Sequence, residues 1–248
     1  LRVNKPQKLG LVIKPEYPWE MGEVGGYDQV LKVGEHDYRF YYTCIGTVGS
    51  DGSTQRVCLA LSKDGVTWTK PMLGLVAYRN STQNNIVWPL DNSYNEPGTV
   101  FIDDNPAAPK SEKFKRVLSW APKDAPSGQY ALVSPDGLSW RPMTHEKEGL
   151  LKPAYRGSDT QQTAHWDPVL ERYVIFVRGH QPGPAERTVL RCLTTDLTNW
   201  TSETNGSAVC PTVLAPDALE HEGTDYYTSG ATVYGDVADG NVLFFPTP

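Results

Sequence analysis

The 248-residue sequence has no run approaching the roughly 20 consecutive apolar residues that a membrane-spanning helix requires, and no charged segment followed by an apolar core near Leu1. No membrane span is expected, and a signal peptide, if one existed, is already gone. Positive charge is scarce: 23 Lys and Arg face 29 Asp and Glu, a formal net charge of −6. Nucleic acid, which is held by clustered cations on its phosphates, is excluded as a partner. Histidine is limited to five residues, none spaced for metal ligation, and there is no C-x-x-C pair, so neither a metal nor a cofactor is expected.

Punctuation and aromatic residues are plentiful instead. The chain carries 22 Gly and 20 Pro, which break it into short segments, and 13 Tyr, 7 Trp and 6 Phe, which favour pleated surfaces. With 39% hydrophobic residues it can bury one large core and is not a disordered protein. An all-β fold of many short strands is expected. Cys44 and Cys58 lie 14 residues apart and Cys192 and Cys210 lie 18 apart; of the three possible connectivities, local pairing is preferred. Glycosylation sequons at Asn80, Asn199 and Asn205 join the cysteines in pointing to a secreted or otherwise extracytoplasmic protein.

A repeat organises the sequence. Leu59-Ala60-Leu61-Ser62-Lys63-Asp64-Gly65-Val66-Thr67-Trp68 recurs as Leu132-Val133-Ser134-Pro135-Asp136-Gly137-Leu138-Ser139-Trp140 and, more loosely, as Leu193-Thr194-Thr195-Asp196-Leu197-Thr198-Asn199-Trp200, with tryptophans 72 and 60 residues apart. Each segment reads as a strand, a tight turn and a Trp that opens the next strand. Aromatic strands precede them at 38–42, 114–120 and 172–177, with a fourth at 241–245. Before each of these comes one more strand, opening near a carboxylate: Asp28, Glu96, Asp159 and Asp225, spaced by 68, 63 and 66 residues. A four-stranded unit at this period is the signature of a β-propeller whose blades start at the central channel. The blades fall at about 25–72, 94–145, 157–204 and, in part, 223–248 of a single domain covering 1–248, with a loop insertion at 103–113. An open set of blades leaves exposed sheet edges. The expectation is therefore a five-bladed propeller of which this chain covers about four blades, C-terminally truncated, with residues 9–14 as the ring-closing strand.

These motifs, together with the lead-in Lys14-Pro15-Glu16-Tyr17-Pro18-Trp19-Glu20, Leu73-Gly74-Leu75-Val76, Asn84-Asn85-Ile86-Val87 and Trp166-Asp167-Pro168, resemble the five-bladed propeller glycosidases of glycoside hydrolase families 32 and 43, the invertase, levansucrase and arabinanase relatives. The resemblance covers nearly the whole chain and implies a funnel at one end of the channel where carboxylates from successive blades converge on one sugar. It implies that Asp28 is the nucleophile or base, Asp159 the acid, and Glu96 the group that orients a sugar hydroxyl and tunes the acid. Asp225 is a fourth rim carboxylate that could replace Asp159. The sequence departs from the family pattern at Tyr27-Asp28-Gln29, at Glu96-Pro97 and in lacking a Glu-Cys pair in the third blade.

Glycoside hydrolysis uses one protonated and one ionised carboxyl group, and acids crowded into a funnel supply that asymmetry. An acid before a strand is also a common turn residue, and Asp64, Asp136, Asp196 and Asp167 are read that way. Trp19 with Tyr27 offers an aromatic platform for a sugar, Asn85 a polar contact, and His165 and Arg178 reach from third-blade strands toward the funnel. The function expected is hydrolysis of a poly- or oligosaccharide. A non-catalytic carbohydrate-binding propeller and a sialidase-like hydrolase, suggested by the Ser-Lys-Asp-Gly-Val-Thr-Trp turn, are the alternatives.

Overall fold

The computed structural model describes residues 5, 7, 8, 10–20, 24, 25, 27, 29–45, 55–88, 94, 95, 98–121, 128–143, 161–180, 187–198, 210–221, 223–227, 230, 246 and 247. Among them the only helical elements are 3₁₀ turns at Pro18–Glu20 and Lys110–Glu112. The first sheet is an antiparallel meander of β1 (Gln29–Gly34), β2 (Asp37–Ile45), β3 (Gln55–Ser62) and β4 (Ile86–Trp88). In the second, β5 (Tyr94–Asn95) and β6 (Thr99–Ile102) lie end to end along β7 (Phe114–Ala121), followed by β8 (Gly128–Ser134) and β9 (Arg141–Pro142). β10 (Thr163–Asp167), β11 (Arg172–His180), β12 (Arg187–Thr194) and β13 (Thr212–Leu214) form the third, and β14 (Asp225–Tyr226) pairs with β15 (Pro246–Thr247).

The sheets pack face to face, as propeller blades do. One apolar cluster joins Tyr41, Leu59 and Trp88 of the first sheet to Val100, Leu118 and Trp120 of the second. Another joins Phe101, Val117 and Ala131 to Ala164, Ile175 and Leu190 of the third. This is why β7 is buried on both faces, whereas β1 alternates half-buried and exposed residues.

The repeated turns are local hydrogen-bond devices. Asp64 Oδ1 accepts the N–H groups of Val66 and Thr67 at 2.8 and 2.7 Å, and Ser62 Oγ accepts that of Gly65 at 2.8 Å. Asp136 and Ser134 repeat the arrangement, and Asp196 Oδ1 accepts from Thr198 N at 2.8 Å. These backbone bonds hold the Asp64 carboxyl well below the ordinary aspartate range. Asp167 likewise accepts from Val169 and Leu170, so all four acids read as turn residues serve as turn residues. The turn at Gly137 (φ +74°) also latches blade to blade: Tyr41 OH donates to its carbonyl at 3.0 Å, and a Cβ there would lie 2.4 Å from that hydroxyl.

Three expectations are corrected. Trp68 does not open the fourth strand of its sheet; only Thr69 bridges Leu61 there, and Ile86–Trp88 completes the sheet beyond residue 72. The third sheet likewise closes at Thr212–Leu214, beyond residue 204. Residues 10–14 form no strand, and Leu11 is 81% exposed. The chain is instead fastened at Glu20, whose buried carboxylate accepts from Glu16 N, Tyr17 N, Tyr42 OH and Lys70 Nζ at 2.7–2.9 Å. Burial works to raise the Glu20 pKa, but these hydrogen bonds outweigh it and hold it below the ordinary value.

Both local disulfides are present, Cys44–Cys58 and Cys192–Cys210, with Cα separations of 5.9 and 4.9 Å. They are consistent with an extracytoplasmic protein. Among the described residues, no helix is long and apolar enough to cross a membrane.

Candidate functional site

Asp28, Glu96 and Asp159 lie outside the described residues, as do the sequons at Asn199 and Asn205. The backbone N–H of Thr99, which opens β6, donates to the carbonyl of Gln162, the residue before β10, at 3.1 Å. The beginnings of the innermost strands of the second and third sheets therefore meet. Side chains reinforce the junction: Ser119 Oγ accepts from Gln129 Nε2 at 2.6 Å and from Gln162 Nε2 at 3.0 Å. Thr99, Gln129 and Gln162 are all buried, yet Thr99 Oγ1 and Gln129 Oε1 have no hydrogen-bond partner.

Gly98 makes the junction possible. A Cβ at this position would lie 1.5 Å from the carbonyl oxygen of Val117, so only glycine lets the chain between β5 and β6 press against β7.

Two of the expected binding residues come together at the third sheet. Asp225 Oδ1 accepts from the backbone N–H of Arg187 at 2.9 Å, and Oδ2 forms an ion pair with the Arg187 guanidinium. Arg178 Nε donates to the carbonyl of Tyr227 at 3.0 Å, and the Arg178 and Arg187 guanidinium groups lie 4.3 and 5.2 Å from the Tyr227 ring. Both Asp225 oxygens act as acceptors toward Arg187.

His165 stands on β10 with Nδ1 buried and unpartnered; burial pushes its pKa down, partly opposed by the Asp167 charge. Tyr27 is half-buried just before β1. Trp19 and Asn85 are buried and bonded to each other. Trp19 is 8% exposed, stacks on Tyr17 at 4.6 Å and donates through Nε1 to Asn85 Oδ1 at 2.7 Å. Asn85, fully buried, spends its amide hydrogens on Tyr42 OH and the Leu59 carbonyl. This network ties residues 16–20 to the first sheet. The Asn80 sequon is exposed on a turn, with Asn80 at φ +64°.

Ser119, Gln129, Gln162 and Arg187 escaped the sequence reading. Their signal was a polar side chain near the end of an otherwise apolar strand, which by itself does not tell a solvent-facing residue from a buried one.

The fold is shared with solved glycoside hydrolases and a glycoside phosphorylase. BT0996, solved in an RGII complex, superposes with a TM-score of 0.57 at 17% identity, over 93% of this protein and 68% of that one. The β-1,2-mannobiose phosphorylase of Listeria innocua, solved with β-1,2-mannobiose, gives a TM-score of 0.54 at 15% identity, over 93% and 54%. A fructofuranosidase variant of Schwanniomyces occidentalis, solved with fructosylnystose, gives 0.51 at 15% identity, over 76% and 34%. At these identities the likeness is one of fold. No protein-family profile and no curated protein matches the chain.

Proposed function

We propose that the protein is an extracytoplasmic glycoside hydrolase acting on a poly- or oligosaccharide, with its site in the funnel of a five-bladed propeller. Asp28 is the nucleophile or base, Asp159 the acid, and Glu96 the residue that orients a sugar hydroxyl and tunes the acid. Asp225, Arg178, Tyr27 and His165 contribute to the rim.

The observation that carries this reading is the Thr99–Gln162 hydrogen bond at 3.1 Å. Glu96 and Asp159 each stand three residues upstream of one partner in that bond. Three residues of chain reach at most about 11 Å, so both acids are tethered to one junction, which leaves room for the separation of roughly 5 to 10 Å between carboxyl groups in glycosidases. Two such groups acting on one sugar would divide the work: one gives a proton to the departing oxygen while the other attacks the anomeric carbon or activates water. The unpartnered Thr99 and Gln129 oxygens at the junction suit sugar hydroxyls as donors.

The test is reducing-sugar release from fructans, arabinans, xylans, galactans and β-mannans by the wild type and by Asp28→Asn and Asp159→Asn. Release by the wild type with a loss of at least about 10²-fold in either variant is expected. Undiminished release in Asp28→Asn removes that residue from the catalytic set. Glycan binding without release by the wild type replaces the hydrolase with a carbohydrate-binding propeller.

A further inference from the structure

Arg116 stands in the middle of β7 and is 1% exposed. Side chains alternate along a strand, so it shares a face with Phe114, Leu118 and Trp120, all members of the apolar cluster between the first and second sheets. Its cross-strand partners, Val100 on β6 and Leu132 on β8, belong to the same cluster. The guanidinium has one long polar contact, from Nε to the Gly98 carbonyl at 3.4 Å, and Nη2 is buried with no partner. Among the described residues, no carboxylate pairs with it.

An ion held this way is costly. Removing a single charge from water without a counter-charge costs several kcal/mol even after the protein relaxes, and a guanidinium does not escape by losing its proton. Burial pushes the Arg116 pKa down to about 9, which still leaves the group charged at neutral pH. The residue stands among Val, Leu, Phe and Trp side chains, and the described residues offer it no counter-charge.

We propose that a small monovalent anion of the chloride class binds against Arg116 Nη2 between the first and second sheets. The enclosure favours this class. A sugar acid has no access to a side chain 1% exposed. Phosphate or sulfate would bring more acceptor oxygens than Arg116 and the unpartnered indole N–H of Trp88 in the same cluster can satisfy. A halide makes no such directional demand and draws Arg116, the Gly98 carbonyl and the apolar seam into one neutral unit, so it fastens the first blade to the second.

Thermal unfolding in sodium chloride and sodium bromide, against sodium acetate at matched ionic strength, tests the site. Halide at ten times its Kd is expected to raise the wild-type Tm saturably by about 3–6 °C over acetate. Arg116→Met is expected to unfold at one temperature in all three salts. If that variant does not fold, wild-type crystals grown in bromide decide the matter: an anomalous peak beside Nη2 supports the site. Equal wild-type Tm values in halide and acetate overturn it, as does finding only water or a carboxylate beside Nη2 in the bromide crystals.

Discussion

Lys115 and Arg116 are neighbours on one strand, both almost wholly buried, and the two faces of β7 treat them differently. Lys115 turns toward the third sheet, where the insertion at 103–113 folds back: its Nζ lies 3.0 Å from Asp103 and 3.3 Å from Glu112. Asp103 also accepts from Tyr173 OH at 2.8 Å, and Glu112 from Arg141 at 2.7 Å, so the insertion completes a charge network across the seam. Arg116 turns toward the first sheet and meets an apolar cluster and one carbonyl. Both seams are packed with apolar residues, but the one toward the third sheet adds a carboxylate network from a loop, while the one toward the first holds Arg116 with no carboxylate partner among the described residues. A loop insertion that looks dispensable in the sequence is what makes its side of the strand electrically self-sufficient.

The comparison is broken or sharpened first at Lys115. Lys115→Met strands Asp103 in the core, and a loss of about 3–5 kcal/mol is expected in denaturant unfolding. Arg116→Met, measured in halide-free buffer, is expected to leave stability unchanged or to raise it by up to about 2 kcal/mol, since an uncompensated ion is replaced by an apolar side chain. A loss matching that of Lys115→Met would erase the distinction between the faces. Tyr173→Phe removes one donor from Asp103 and is expected to cost about 1–2 kcal/mol, with no dependence on the type of salt.

The smallest effect extends the contrast to β10, where His165 lacks a partner at Nδ1. Its folded pKa lies below the ordinary 6.5, so between those two values the unfolded chain binds more protons and stability rises with pH. Acidification below about pH 6.5 is expected to erode stability in the wild type, and His165→Gln is expected to flatten that part of the profile. An unchanged slope in the variant would assign the titration to another group.

Much of the fold was legible because the decisive interactions are local. Ser62-x-Asp64 and Ser134-x-Asp136 close their own turns within a few residues, the Cys44–Cys58 disulfide joins neighbouring strands of one sheet, and Cys192–Cys210 ties β12 to the residues just before β13. The strands centred on Tyr41, Val117 and Ile175 announced themselves by aromatic and branched residues. What was illegible depends on distant partners. Ile86–Trp88 looks like any short apolar run until it is seen beside Val57 and Cys58. Trp19 and Asn85 look like sugar contacts until they meet each other across 66 positions. At the candidate site, the spacing of the acids was plain, but nothing in Ser119, Gln129 or Gln162 reveals that their side chains converge from two strands and a connecting segment.

The Thr99–Gln162 bond joins two main-chain groups. Of the side-chain replacements only proline at position 99 removes its donor, so an alanine scan would pass over it; an exchange of the amide for an ester would register too. Lineages can drift at the flanking positions and still inherit the distance between the segments that carry Glu96 and Asp159. A geometry written in backbone is free to outlast the residues around it, which suits a chain whose propeller aligns with BT0996 at only 17% identity.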